Sequence, residues 1–310
     1  MNSSNTIFAR GLSSQPSSST NLPAISRRAF LHGALAGLAA CPALAATIAR
    51  GAAPSAAAEI RLGSCRVDLR QALRAGLDGA EVSAGDPTDQ LRIADPAVQR
   101  RYLDEMAETG LPISSFMMGL LNSNPLATDP RAPAWLEQSI DAARALRVHV
   151  ILVAFFGKGD LRENGQLKRA EVDQAVQRVR AAAPRARDAG VILALENTLS
   201  ARQNAEILDR INHESVQLYY DVGNSTRNGY NVPEEIRFLK ERIACIHFKD
   251  GSSYLGQGEI QFPPIARAID QIGYRGWIVL ETANPSKDAV ADARRNADYI
   301  RELFGMGRRA

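Results

Sequence analysis

The chain has 310 residues, enough for one large or two small domains at about 100 to 200 residues each. At 45% hydrophobic, 23% charged and 6% aromatic residues it excludes disordered, collagen-like and disulfide-scaffold classes, and it carries enough apolar side chain for a sizeable core. The net charge of +3 comes from residues 1–45, where Arg10, Arg27 and Arg28 meet no acid; beyond them 34 basic residues balance 34 acidic ones, so no nucleic-acid partner is expected.

Residues 1–25 are rich in Ser, Asn and Pro without an apolar period, the composition of an unstructured segment. Ser26-Arg27-Arg28-Ala29-Phe30-Leu31 then leads into a mild Ala/Gly/Leu run over 33–49. This resembles a twin-arginine export signal, which implies the twin-arginine export machinery as a partner and a periplasmic or extracellular location. The run is short and broken by Pro42, so no stable membrane span is expected. Ala43-Leu44-Ala45 and Ala56-Ala57-Ala58 both offer small-x-small cleavage sites. Leu38-Ala39-Ala40-Cys41 resembles a lipoprotein processing box, the alternative in which Cys41 becomes an acylated anchor. Cys65 and Cys245 are expected as buried core thiols.

Residues 1–58 therefore read as leader and linker, and 59–310 as one domain. In chain order, short β-branched apolar runs predict strands at 60–65, 79–82, 112–117, 148–156, 191–196, 216–221, 243–248 and 276–281. Between them a 3.6-residue period predicts helices at 68–75, 96–109, 132–146, 169–189, 200–211, 233–241, 262–272 and 286–304. Asp95-Pro96 and Ser200 are helix starts, and Gly76, Gly110, Gly190 and Gly273 are left-handed helix ends. Eight alternations in about 250 residues are the arithmetic of a (β/α)8 TIM barrel. A doubly wound sheet would carry a Gly-rich turn after its first strand, and Gly63-Ser64-Cys65-Arg66 is not one.

In such barrels chemistry sits at the C-terminal ends of strands. The last four strands close on Glu196, Asp221, His247 and Glu281, each following a run that must be buried. Three converging carboxylates repel one another unless a cation joins them. Three oxygens and one imidazole suit one divalent metal ion, Mn, Mg, Co or Zn, with open positions for substrate. Lys249 lies two residues beyond His247, on the same inward face, placed to meet an oxyanion.

These pieces, Ala194-Leu195-Glu196-Asn197, Asp221-Val222-Gly223-Asn224, Ile246-His247-Phe248-Lys249-Asp250, Leu255-Gly256-Gln257-Gly258-Glu259-Ile260 and Leu280-Glu281, resemble the xylose-isomerase-like barrels of sugar phosphate isomerases and epimerases. The resemblance spans nearly all of 60–304 and implies that Glu196, Asp221, His247 and Glu281 bind one catalytic divalent metal, with Glu196 and Glu281 flanking the reacting carbon. It also covers eliminases, dehydratases and nucleases. The nuclease branch uses a histidine-rich three-zinc cluster, whereas His247 alone of four histidines is placed for metal here. Arg202 and Asn224 stand where the ketose 3-epimerase branch carries an acid and a histidine.

The expected function is an exported metal-dependent isomerase or epimerase on a small carbohydrate, working through an enediolate. An eliminase or dehydratase on a keto-sugar or keto-glycoside is the alternative within enzymes, and a metal-stabilised sugar-binding module the alternative outside them. Glu81, on the inward parity of Gly79 and Ser83, together with Asn197 and Asn224, is expected to meet substrate. Ala154-Phe155-Phe156-Gly157 carries no His or acid, so that wall should be apolar, with Phe155 packing on a sugar face. The segment 282–287 lacks the Gly-rich turn that receives phosphate after the eighth strand, which disfavours a phosphorylated substrate. Assembly into a homo-oligomer is left open by the sequence.

Overall fold

The computed structural model describes residues 60–307. The leader expected over 1–58, with Arg27, Arg28 and Cys41, lies outside the described residues. Eight barrel strands run as β1 (Arg61–Ser64), β2 (Ala80–Ser83), β3 (Ile113–Met118), β4 (Val150–Ala154), β5 (Ile192–Glu196), β6 (Val216–Asp221), β7 (Ile243–Phe248) and β8 (Trp277–Leu280). All pairings between them are parallel, in the order β1-β8-β7-β6-β5-β4-β3-β2. The end strands β1 and β2 also touch, so the barrel is nearly closed and the expected (β/α)8 architecture holds.

The helices are α1 (Leu69–Arg74), α2 (Pro96–Thr109), α3 (Ala132–Leu146), α4 (Arg169–Asp188), α5 (Ala201–Ile211), α6 (Val222–Arg227), α7 (Val232–Leu239), α8 (Phe262–Gln271) and α9 (Ala289–Leu303). Their ends follow local chemistry: Asp68 with Gln71, and Ser200 with Gln203, form reciprocal capping boxes on α1 and α5. Gly76, Gly110, Gly190 and Gly273 all have positive φ, as expected. Two features were not expected: α6, and a hairpin of Arg162–Glu163 with Gln166–Leu167 in the loop after β4. Among the described residues no helix is long and apolar enough to cross a membrane.

The core divides by strand parity. Residues such as Ile151, Val153, Leu193, Leu195 and Ile246 pack outward against the helices, while Val150, Leu152, Ala154, Ala194, Tyr219, Cys245, Trp277 and Val279 fill the lumen. Trp277 closes the floor, stacked beneath the Arg61 guanidinium at 4.4 Å. Cys245 is a buried free thiol as expected, whereas Cys65 is only partly buried at the lumen edge.

Candidate metal centre

The lumen layer sets the layer above it. Two residues beyond inward Ala194, Tyr219, Cys245 and Val279 come Glu196, Asp221, His247 and Glu281, so all four enter the barrel mouth from the inward face. Register brings them level: Asp221 pairs with His247 across β6 and β7, and Val279 pairs with His247 across β8. One ligand atom from each of the four lies within 4.8 Å of the other three.

His247 is the hub and is 1% exposed. Its Nδ1 lies 3.0 Å from Glu196 Oε1, 3.7 Å from Glu281 Oε2 and 3.8 Å from Asp221 Oδ2. Its Nε2 lies 3.2 Å from Glu81 Oε1, and the other Glu81 oxygen accepts from Ser115 Oγ at 2.6 Å and the Tyr219 hydroxyl at 2.8 Å. Nε2 faces Glu81 and Nδ1 faces Glu196, each at hydrogen-bond distance; with a cation in place of the Nδ1 proton, the Glu81 carboxylate behind the ring would fix the ligating tautomer. The Tyr219 ring lies 4.4 Å from the imidazole and holds it laterally.

The electrostatics are those of an anion-rich pocket. Burial raises the Glu196 carboxyl to about 7, opposed by His247 and reinforced by Asp221 and Glu281. Burial also raises Asp221, although Lys249 and His247 pull the other way. Burial would lower His247, but facing Glu196 and Glu81 hold it above its ordinary range. Glu281 is driven by burial upward and by His247 and Lys249 downward; the cations win, leaving it at about 2.

Lys249 Nζ donates to Glu281 Oε2 at 2.7 Å and lies 2.8 Å from Asp221 Oδ2. That second approach is a charge contact without hydrogen-bond alignment, so Asp221 Oδ2 is buried and lacks a well-formed hydrogen bond, while Oδ1 caps α6 through Asn224 N at 2.7 Å. The lysine stem reaches this place because residue 223 is Gly: a Cβ there would sit 2.4 Å from Lys249 Cγ. Three carboxylates, one imidazole and an under-bonded buried oxygen fit a divalent cation.

A cavity of about 200 Å³ opens over Glu196, Glu281 and Lys249. Met117, Leu152, Ala154 and Phe156 make one wall, and Glu196, Asn224, Lys249, Glu281 and Asn122 face it. Asn122 Oδ1 accepts from Phe156 N at 3.2 Å and so anchors the aromatic wall.

The geometry therefore sorts the expected substrate contacts. Asn224 lines the cavity. The aromatic residue on the apolar wall is Phe156, not Phe155, which has outward parity and packs under the helices at 2% exposure. Glu81 points inward as expected but lies beneath His247, saturated by three donors, and does not line the cavity. Asn197 is likewise turned away: its side chain accepts from Leu199 N at 2.9 Å and donates to Asn204 at 2.8 Å. Ser115 and Tyr219, which sequence reading missed, carry inward parity on β3 and β6, the signal by which they could be found. His149, at the opposite end of β4, is exposed with Nδ1 on Gly190 O, and His213 accepts from Ser215 N in a loop.

A family model described as xylose isomerase-like TIM barrel matches residues 69–303. The chain belongs to the xylose isomerase-like TIM barrel family. Within it, an L-ribulose-5-phosphate 3-epimerase, UlaE, of Escherichia coli is 23% identical over 261 residues, covering 77% of this chain and 90% of the relative. Among solved structures, D-allulose 3-epimerase from Methylomonas sp. in complex with D-allulose superposes with a TM-score of 0.65 at 20% identity, over 79% of this chain and 97% of the other. The 3-keto-D-glucoside 4-epimerase YcjR from E. coli gives 0.66 at 14% identity, over 79% and 100%. The relatives of this xylose isomerase-like barrel are thus sugar epimerases, and their structures share its fold.

Proposed function

We propose that the protein is a divalent-metal-dependent sugar isomerase or epimerase that moves a proton through an enediolate. The observation that carries this reading is the pair of glutamates, Glu196 from β5 and Glu281 just beyond β8, which stand beside the His247 imidazole and line a sugar-sized cavity. Glu196, Asp221, His247 and Glu281 would hold the cation, which when bound supplies Lewis-acid stabilisation of adjacent substrate oxygens.

The chain's own groups do the rest. Glu196, whose carboxyl burial pushes upward, is the member of the pair that carries the proton to be delivered to carbon. Glu281, which His247 and Lys249 hold as a carboxylate, takes the proton from one face of carbon while protonated Glu196 delivers one to the other, and the reverse reaction resets the two protonation states. Proton return to the opposite face gives epimerisation, and return to the neighbouring carbon gives isomerisation. Lys249 Nζ, within reach of Glu281, donates to a developing oxyanion. Phe156, with Leu152 and Ala154, packs the apolar face of the sugar and excludes water from that side.

The test is exchange of substrate C–H protons into D2O across a panel of ketoses and aldoses at saturating Mn2+, Co2+ or Mg2+. Glu196→Gln and Glu281→Gln should each lower turnover about 10²-fold or more. Full turnover in both variants with metal saturated would overturn the two-glutamate mechanism, and absence of any exchange or turnover in the wild type would favour a sugar-binding module. We also infer export, supported by the Arg27-Arg28 pair and the mild run behind it. Lysine at both positions should leave the precursor in the cytoplasm, and normal export of that variant would refute this route.

A further inference from the structure

Beside the reaction cavity lies a larger one of about 520 Å³, walled by α6 and the loop that follows β7. The two meet at one contact: Gly223 lines the outer cavity, and the Lys249 stem packed on its Cα lines the inner one. We propose that this outer cavity is a subsite for a second, uncharged sugar unit, so that the substrate is a glycosylated ketose. The inference rests on the sugar proton-transfer reading above and names its substrate class.

Size is the first reason. The inner cavity has room for one small sugar, and the outer, more than twice as large, adjoins it across the Gly223–Lys249 contact and has room for a second unit.

The second reason is that the outer wall is built to keep its shape. Asp250, 2% exposed, accepts from Ile260 N through Oδ1 at 3.1 Å and from Gly256 N and Gly258 N through Oδ2 at 3.1 and 2.9 Å. One carboxylate thus folds residues 250–260 around itself. Gly258 is required because a Cβ would lie 2.3 Å from Asp250 Oδ1. Three charge-assisted bonds to one buried acid pre-order a loop in a way that a solvent-facing connection does not require.

Chemistry selects the ligand. Arg227 and Glu259 carry opposite charges on the rim, Ser252 and Ser253 add hydroxyls, and Thr226 Oγ1, which donates to Val222 O at 2.7 Å, adds an acceptor. Such a mixture of donors and acceptors matches sugar hydroxyls, which do both. It does not match a phosphate, which wants several donors and no acid. The neighbouring N-terminus of α8 does not help an anion either, because Pro263 and Pro264 remove two of its first N–H groups.

The experiment uses the Mn2+-saturated protein and calorimetric dissociation constants for D-fructose, D-fructose 6-phosphate, and three glucosyl or galactosyl fructoses linked at O3, O4 and O6 (turanose, lactulose and palatinose). At least one disaccharide should bind tenfold or more tightly than fructose, and Arg227→Ala with Ser253→Ala should collapse that ratio toward one. The subsite is overturned if no disaccharide exceeds fructose by more than twofold, if none binds, or if the ratio survives the double substitution. Tightest binding of the phosphate would overturn it in favour of an anion site. C–H exchange on fructose in D2O reads the inner cavity alone. Exchange without disaccharide preference sinks the subsite and keeps the epimerase reading, whereas preference without exchange keeps the subsite and sinks the chemistry.

Discussion

Replacing Glu81 by Gln tests the candidate centre from behind, through a residue that would touch neither metal nor sugar. Glu81 serves three donors, the Ser115 and Tyr219 hydroxyls on one oxygen and His247 Nε2 on the other. Gln offers one acceptor and one NH2. If its oxygen stays with the hydroxyls, the NH2 confronts Nε2–H and drives the imidazole proton to Nδ1, the atom aimed at Glu196. If the amide flips, the NH2 faces two hydroxyls that must redirect their protons beside Cys245 and Trp277. Either orientation leaves a buried donor badly paired, at about 1–3 kcal/mol, and removes the anion that raises imidazole basicity. Loss of such a supporting carboxylate costs about 10–100-fold in metal affinity, or about 1.4–2.7 kcal/mol. Calorimetric titration of Mn2+ into the variant, with circular dichroism confirming the fold, should show that rise in Kd. Ser115→Ala, which removes one of the two hydroxyls and keeps the anion facing Nε2, should cost less than tenfold. A folded Glu81→Gln protein binding Mn2+ within twofold of wild type would refute the tautomer argument.

His247→Ala should abolish measurable Mn2+ binding and activity together, while His149→Ala, exposed at the far end of β4, leaves both nearly unchanged; equal losses would undo the rim assignment. Phe155 and Phe156 should separate stability from binding. Phe155→Ala opens a cavity under the helices and costs about 3–5 kcal/mol in denaturant unfolding. Phe156→Ala acts on the cavity wall and should raise KM with a smaller stability loss; the reverse pattern would contradict the parity.

How far this was legible depends on whether a strand carries its own parity signal. Around β5 to β8 the change from apolar to ionisable at Glu196, Asp221, His247 and Glu281 marks both the strand end and the inward face. Strand β4 offers no such mark: residues 148–156 are apolar almost throughout, as befits a strand buried on both faces, so Phe155 and Phe156 cannot be told apart locally. Their assignment comes from pairing Ala154 with Glu196 across β5. For Glu81 the direction was readable from Gly79 and Ser83, but its depth is set by Ser115 and Tyr219, 34 and 138 residues away. Asn197 sits beside a rim residue, yet turn geometry claims its side chain through Leu199 N. The hairpin was available as Asn164-Gly165, both at positive φ, a turn signal between two short runs. Helix α6 was not, because Gly, Asn, Ser and Thr are weak helix formers and the cap that starts it is Asp221, a residue marked for another role.

That double duty at the rim has an energetic consequence that separates folding from function. Glu81, Glu196, Asp221 and Glu281 crowd His247 and Lys249, so four carboxylates face two cations in a buried space. Glu196 bears the strain: an acid whose folded pKa, about 7, exceeds its ordinary value of 4.5 favours the folded state only when protonated. Its contribution is therefore favourable below about pH 4.5 relative to alkaline solution and is lost as pH rises to and beyond about 7. Glu196→Gln should then melt higher than wild type at pH 8 in EDTA, with the advantage shrinking at pH 6, where the wild-type side chain is protonated. Saturating Mn2+ at about 1,000 times Kd adds about 4.1 kcal/mol to a chain that binds it, and less to one lacking a ligand charge. The order of melting temperatures should consequently invert on adding metal. A Gln variant that melts below wild type in EDTA at pH 8, or one that gains as much from Mn2+ as wild type does, would show that Glu196 is an ordinary rim carboxylate rather than a member of a cation site.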